Sequence, residues 1–215
     1  MDTKLSETKI AIILAAGELF AEHGLEGTSI RPIAQKAGVN IAAINYHFGS
    51  KENLYTEVFR YVLIQHRLDK QVNKLVEESK SISKPDQIAK FLYRFIKGRV
   101  ASLYSPDKPF WFTRFLLHSL SEYTSSLKAI VDEYFFPEIK VLIDIIRRAD
   151  PNMSRQKALI WAISVHGQIA FYGLCEVPIL MMLHQEKYDQ EFLDAVAEHV
   201  ACSIITALGL PQPKE

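Results

Sequence analysis

Groups able to do chemistry concentrate between Thr28 and Lys51, where the chain reads TSIRPIAQKAGVNIAAINYHFGSK. The Asn45 amide can donate to and accept from a single adenine edge in a DNA major groove, and Tyr46 beside it adds a hydroxyl on a flat ring. Ala42 and Ala43 keep that surface low, so a helix bearing them can come close to a groove and touch thymine methyl groups. Asn40 stands at the start of the same surface. Arg31 is the one cation near the tip of the preceding segment. Lys51 follows Ser50 at what reads as a helix start, where free amides and an ammonium together suit a phosphate. His47 can hold a phosphate too, more strongly when protonated.

Two short helices must position these groups. Thr28 or Ser29 can cap the first, Pro32 falls in its opening turn where a missing amide costs little, and Ile30, Ile33 and Ala34 supply its buried face. Gly38 sits where the chain reverses and suits a left-handed backbone. The second helix runs from Asn40 to about Phe48 with Val39, Ile44 and Phe48 inward, leaving Asn40, Ala42, Ala43, Asn45, Tyr46 and His47 outward. Ahead of both lies an amphipathic helix, Ile10 to His23, stopped by Gly24. Two helices about a Gly-containing turn are the pattern of a helix-turn-helix.

From Ile10 to Tyr55 the order ELFAEHGLEGTS, IRPIAQKAGV, YHFGSKENLY resembles the TetR family of bacterial transcriptional regulators, without a gap. The later FWFTRFLLHSL, FFPEIKVLI and GQIAFY segments are similar to its CecR-like branch. This resemblance implies an all-α protein: an N-terminal three-helix helix-turn-helix domain over residues 1–50, a connecting helix and linker over 51–84, and a C-terminal ligand-binding and dimerisation domain over 85–215. It further implies a homodimer on a palindromic double-stranded DNA operator, most simply a repressor released by a mostly apolar small-molecule effector. Thr28 joins the expected DNA-binding set, and in similar members an arginine at the position of Arg31 reaches a base or phosphate. Two departures stand out. His47 replaces a tyrosine that usually holds a phosphate, and Ile41 stands where many relatives carry lysine, which tilts the expected operator towards A·T readout.

Composition limits the alternatives. Lys and Arg number 25 and so do Asp and Glu, so the formal net charge is zero, unlike the basic balance usual in DNA-binding domains. Lys4, Lys9, Arg31, Lys36, Lys51 and Arg60 are outnumbered by the carboxylates of the same region, so phosphate contacts must come from a few placed cations and helix-start amides. The competing reading is a helical scaffold whose helix-turn-helix does not bind DNA. Cys175 and Cys202 form no CxxC pair, and neither a disulfide framework nor a thiolate metal knuckle is expected. No signal-peptide pattern appears at the N-terminus, and a cytoplasmic location is expected. The seven histidines make no HxxxH or HExxH pattern, and neither a phosphate-cradling Gly loop nor a GxSxG elbow occurs, so no enzyme, metal or cofactor is expected.

Beyond the motif the chain reads as helix throughout. Ser50 can cap a long helix running towards Glu78; Pro85 opens one reaching about Tyr104; Pro109 opens an aromatic one. Pro137 should kink a helix over about 125–148. The segment Ala158 to Cys175 has no charged residue; its Ser164, His166 and Gln168 argue against lipid, and a helix buried in protein is expected, with no membrane span. A last helix spans about Asp189 to Leu208. Trp111, Phe115, His118, Tyr134, His166, Gln168 and Phe171 mix aromatic and polar groups as a small-molecule pocket does, although most aromatics at such spacing are core.

Overall fold

The computed structural model describes residues 6–65, 68–104, 111–121, 127–128 and 131–213. Its elements are α1 (Glu7–Gly27), α2 (Ile30–Ala37), α3 (Ile41–Phe48), α4 (Lys51–Gln65), α5 (Leu68–Lys80), α6 (Pro85–Tyr104), α7 (Phe112–Ser121), a π-helical turn (Val131–Phe135), α8 (Phe136–Ala149), α9 (Arg155–Leu174), α10 (Glu176–Leu183) and α11 (Gln190–Ala207). Every described element is helical. They form two compact units, one from residues 1–67 and 108–132, the other from 68–107 and 133–215.

The first unit packs α2, α4 and α7 on α1. Its core joins Ile12, Ile13, Ala16 and Phe20 of α1 to Ile33, Ile44, Leu54, Tyr55, Val58 and Phe59, all at or near zero exposure. Aromatic rings carry the packing onward: Phe20 meets Tyr55 at 5.0 Å, and Tyr55 meets Phe115 at 5.1 Å. The Tyr55 hydroxyl donates to Ser119 Oγ at 2.9 Å, and Ser119 donates to the Phe115 carbonyl at 2.7 Å. Thus α7, which lies within the expected C-terminal segment 85–215, packs on α1 in this unit. The reason is a polar and aromatic match across 64 residues of chain, which helical spacing alone cannot reveal.

In the second unit α6 packs along α11, α8 along α9, and α5 against α8. Ile88, Leu92, Ile96 and Val100 of α6 share one core with Leu142, Ile145 and Ile146 of α8, Ala162 and Val165 of α9, and Val196, Val200 and Ile204 of α11. Local signals set the ends of these helices. Ser154 accepts from the Lys157 amide at 3.2 Å and Asp189 from the Phe192 amide at 2.8 Å, caps worth about 1 kcal/mol each. Pro137, expected to disturb a helix over about 125–148, stands where a π-helical turn gives way to an α-helix. The π-helical turn ends at Phe135 and α8 begins at Phe136, so the proline lies in a first turn, where no amide is needed.

The uncharged segment, expected to be buried all round, is buried on one stripe only. Ala158, Ala162, Val165 and Ile169 are sealed, while Ile160, Ile163, Phe171 and Leu174 of α9 and Val177, Met181 and Met182 of α10 are more than half exposed. Among the described residues no single helix is long and apolar enough to cross a membrane; α9 and α10 meet that length and composition only as a pair bent by 66°.

Candidate nucleic-acid interface

Three glycines and two side-chain caps shape the motif. Gly24 turns the end of α1 with φ 70° and ψ 179°, a backbone conformation that side chains resist. Gly38 ends α2 in the left-handed region at φ 67° and ψ 29°. Its amide reaches the Gln35 carbonyl at 3.2 Å, and the Val39 amide reaches Ala34 at 3.0 Å, the paired closure of a Schellman ending. Two residues on, Asn40 caps α3 by accepting from the Ala43 amide at 2.8 Å. Gly49 then closes α3 at φ 75°, and Ser50 accepts from the Asn53 amide at 3.1 Å to start α4.

On α3 Ile44 and Phe48 face the core, at 1% and 6% exposure, while Tyr46 is 86% exposed. Asn40, Ile41, Ala42 and Asn45 are exposed beside it, and Ala43 and His47 are half-buried. The His47 ring meets Tyr46 at 5.2 Å and Phe48 at 6.1 Å, both edge-on. A wide-open tyrosine, an exposed isoleucine and a free-edged asparagine on one short helix leave apolar and hydrogen-bonding surface together, as base-edge readout requires. Asn40 spends its side-chain oxygen on the cap, so only its NH₂ remains for a partner.

Cations frame this face sparsely. Arg31 is exposed on α2, and Lys51 is half-buried in the first turn of α4. Lys9 lies over the Phe48 ring, 5.5 Å from its centre, and 3.8 Å from Glu57, to which Arg60 donates at 3.0 Å. Lys36 is paired with Glu18. Among the described residues Arg31 and Lys51 form no ion pair.

Thr28 is a correction. Its side chain is 3% exposed, and its hydroxyl donates to the Gly24 carbonyl at 2.7 Å and the Leu19 carbonyl at 3.1 Å. The Gly24 carbonyl loses its helical partner, because the Thr28 amide turns to the Leu25 carbonyl, and the Thr28 hydroxyl supplies the missing donor. Ser29 holds the cap position of α2 without a side-chain hydrogen bond.

The residues expected to line an effector pocket fall in both units. Trp111, Phe115 and His118 belong to the first unit. There Phe115 is fully buried and Trp111 is 8% exposed, its ring covering Gly17 so closely that a Cβ added at Gly17 would lie 2.5 Å from it. Both rings are part of that unit's core. The side chain of Tyr134 lies outside the described residues. Gln168 and Phe171 are exposed on α9.

His166 alone enters a buried polar cluster of the second unit. Its Nε2 lies 3.4 Å from Glu138 Oε1, and Glu138 in turn accepts from Arg99 Nε at 2.7 Å and pairs with Arg99 Nη2. Burial, helped by the neighbouring Arg99 charge, pushes the His166 imidazole down to about 3, so it is neutral at pH 7. Burial also lowers Arg99 to about 10, which leaves it charged. Arg99 and Glu138 went unnoticed in the sequence, although each carried a signal. Arg99 follows Phe95 by four positions and Glu138 precedes Leu142 by four, so both interrupt the apolar stripe of their helices. Among the described residues no cluster of three or more His, Cys, Asp or Glu could hold a metal ion.

A capped, glycine-punctuated α2–α3 pair with an open second helix, borne by a unit distinct from a second helical one, defines a helix-turn-helix regulator architecture. Comparison with known proteins agrees. The model of bacterial regulatory proteins of the tetR family matches residues 12–58, and that of the C-terminal domain of the HTH-type transcriptional dual regulator CecR matches residues 88–209. The chain is 27% identical over 221 residues to the HTH-type transcriptional dual regulator CecR of Shigella flexneri, covering 99% of this chain and 96% of that protein. It is 42% identical to the HTH-type transcriptional regulator RutR of Escherichia coli (strain K12) over 59 residues, 27% of this chain and 28% of that one. Among solved structures, that of NalD, the secondary repressor of the MexAB-OprM multidrug efflux pump in Pseudomonas aeruginosa, aligns with a TM-score of 0.64 at 26% identity, covering 93% of this chain and 94% of its own. The protein belongs to the TetR family and is a DNA-binding transcriptional regulator.

Proposed function

We propose that the protein is a homodimeric repressor of the CecR-like branch, that α3 reads a palindromic operator, and that a small molecule bound in the second unit releases it. The observation carrying the DNA part is the exposed surface of α3, where Asn45 and Tyr46 stand free beside two alanines while Ile44 and Phe48 anchor the helix. Asn45 is the base reader and Ala42 and Ala43 allow close approach. Arg31 and Lys51 hold phosphates, with His47 assisting when protonated. Branch assignment is supported by the match over 88–209 and by the full-length similarity to CecR. CecR is described as a dual regulator and NalD as a repressor; repression is proposed here because a protein docked on an operator most simply blocks it.

Dimerisation is supported by the exposed side of α9. Ile160, Ile163, Phe171 and Leu174 recur along one helix face with nothing over them in the single chain, and an apolar stripe of that length is what a partner helix buries. Two copies then present their α3 helices near ~34–36 Å apart, one turn of DNA.

Fluorescence anisotropy on the DNA flanking the protein's own gene tests the reading. Asn45→Ala should weaken cognate binding by ~1–3 kcal/mol and relax preference at one base pair, whereas Lys51→Ala should weaken all sequences alike and lower the salt slope by about one. Equal losses on cognate and scrambled duplexes for Asn45→Ala would remove the base-reading role.

A further inference from the structure

A groove of about 200 Å³ opens between α5 and α6 in the second unit. Leu75 and Gly98 give it open surface, and behind them the Phe91 and Phe95 rings, stacked at 6.5 Å, are 1% and 3% exposed. A glycine in the middle of α6 weakens the helix, and a Cβ placed there would meet no atom within 4 Å. No packing neighbour requires this glycine; what it preserves is space.

The charges around that space are unequal. Glu78 is shared by Arg94, at 3.3 Å, and Lys74, at 3.8 Å. Arg99 reaches the groove from its inner side, with Glu138 held on its Nε and Nη2 edge. Three cations thus face two carboxylates, an excess of one positive charge. A guanidinium has five N–H donors and this side-on pair occupies two, so the Nη1 end of Arg99, without a hydrogen-bond partner among the described residues, is available to a second carboxylate.

We propose that this groove binds a small organic anion, its ring or short chain seated on Leu75 in the space beside Gly98 and its carboxylate on Arg99, and that it is the effector site of the repressor proposed above. The volume suits a single ring or a short chain. The proposal rests on the repressor reading only for its effect on DNA; binding itself is independent of it.

Calorimetry on the full-length protein with benzoate and hexanoate, against the uncharged amides benzamide and hexanamide, tests the site. Saturable binding of at least one carboxylate is expected, about tenfold or more tighter than its amide. Gly98→Leu should abolish it with no loss of melting temperature, since the new side chain fills empty space and improves the helix. The double variant Arg99→Met with Glu138→Met, which leaves no buried charge alone, should erase the preference for acid over amide. Failure of both carboxylates at millimolar concentration, equal binding of the amides, or unaltered binding in Gly98→Leu overturns the site. Adding the bound carboxylate to the protein on the flanking DNA separates the two proposals. Release is the expected result, and binding without release leaves the groove standing as an anion site while its effector role fails. If the protein binds DNA but neither carboxylate binds the protein, the groove proposal is overturned and the DNA-binding reading stands.

Discussion

Gly17 is the position where one added methyl group meets the most resistance. A Cβ there would lie 2.5, 2.6 and 2.8 Å from three atoms of the Trp111 six-membered ring, against an optimal carbon separation of about 3.5–4.0 Å. Each contact is short by roughly 1 Å, and the indole is a rigid plate that relieves the overlap only by moving as a whole. It is 8% exposed and set edge-on against Phe115 at 6.0 Å, so that motion disturbs the rings behind it. Overpacking of this kind costs about 1–3 kcal/mol, and alanine returns up to about 1 kcal/mol in helix propensity. Gly17→Ala is therefore expected to destabilise the protein by about 1–2 kcal/mol, a fall in melting temperature of roughly 2–8 °C for a chain of this size. The assay is a double-mutant cycle by thermal and urea unfolding with Trp111→Phe, whose smaller ring leaves space. In that background Gly17→Ala should be neutral or stabilising. A higher melting temperature for Gly17→Ala in both backgrounds would show that Trp111 does not press on α1.

Two further outcomes follow from buried polar groups. Thr28→Val keeps the shape of the side chain but takes the donor from the Gly24 and Leu19 carbonyls, so stability should fall by about 1–3 kcal/mol with operator preference unchanged, and Thr28→Ser should restore most of it; a selective loss of cognate DNA binding with full stability would return Thr28 to the DNA surface. His166 has its folded value pushed down to about 3 from an ordinary 6.5, so the unfolded chain takes up this proton first. Its contribution is complete above about pH 6.5 and is lost as the pH falls from there towards 3, by at most about 1.4 kcal/mol per pH unit. His166→Gln should flatten the dependence of urea stability on pH between 7 and 5, and an unchanged slope would place the imidazole in water.

The DNA-facing motif was legible in the sequence because its determinants are local. A capping oxygen reaches an amide three residues on, and a left-handed glycine reverses the chain where it stands. Ser50 therefore caps and Gly38 turns where residue types alone placed them, and Asn40, Ser154 and Asp189 cap their helices in the same local way. Helical spacing likewise put Ile44 and Phe48 inside and Asn45 and Tyr46 outside. Tertiary structure decided what depends on distant partners. Thr28 has the composition of a cap or a surface contact, and only the break at Gly24 draws its hydroxyl inward. Trp111, Phe115 and His118 have the composition of a pocket, yet α7 packs on α1 and α4 and spends the aromatics as core, because Gly17 and Tyr55 happen to fit them. The charged pair Arg99–Glu138 spans 39 residues, and each member alone reads as a stray charge on an apolar stripe. Periodicity says which face of a helix is turned inward; which other helix it meets there is settled only when complementary shapes and unpaired polar groups find one another in the folded chain.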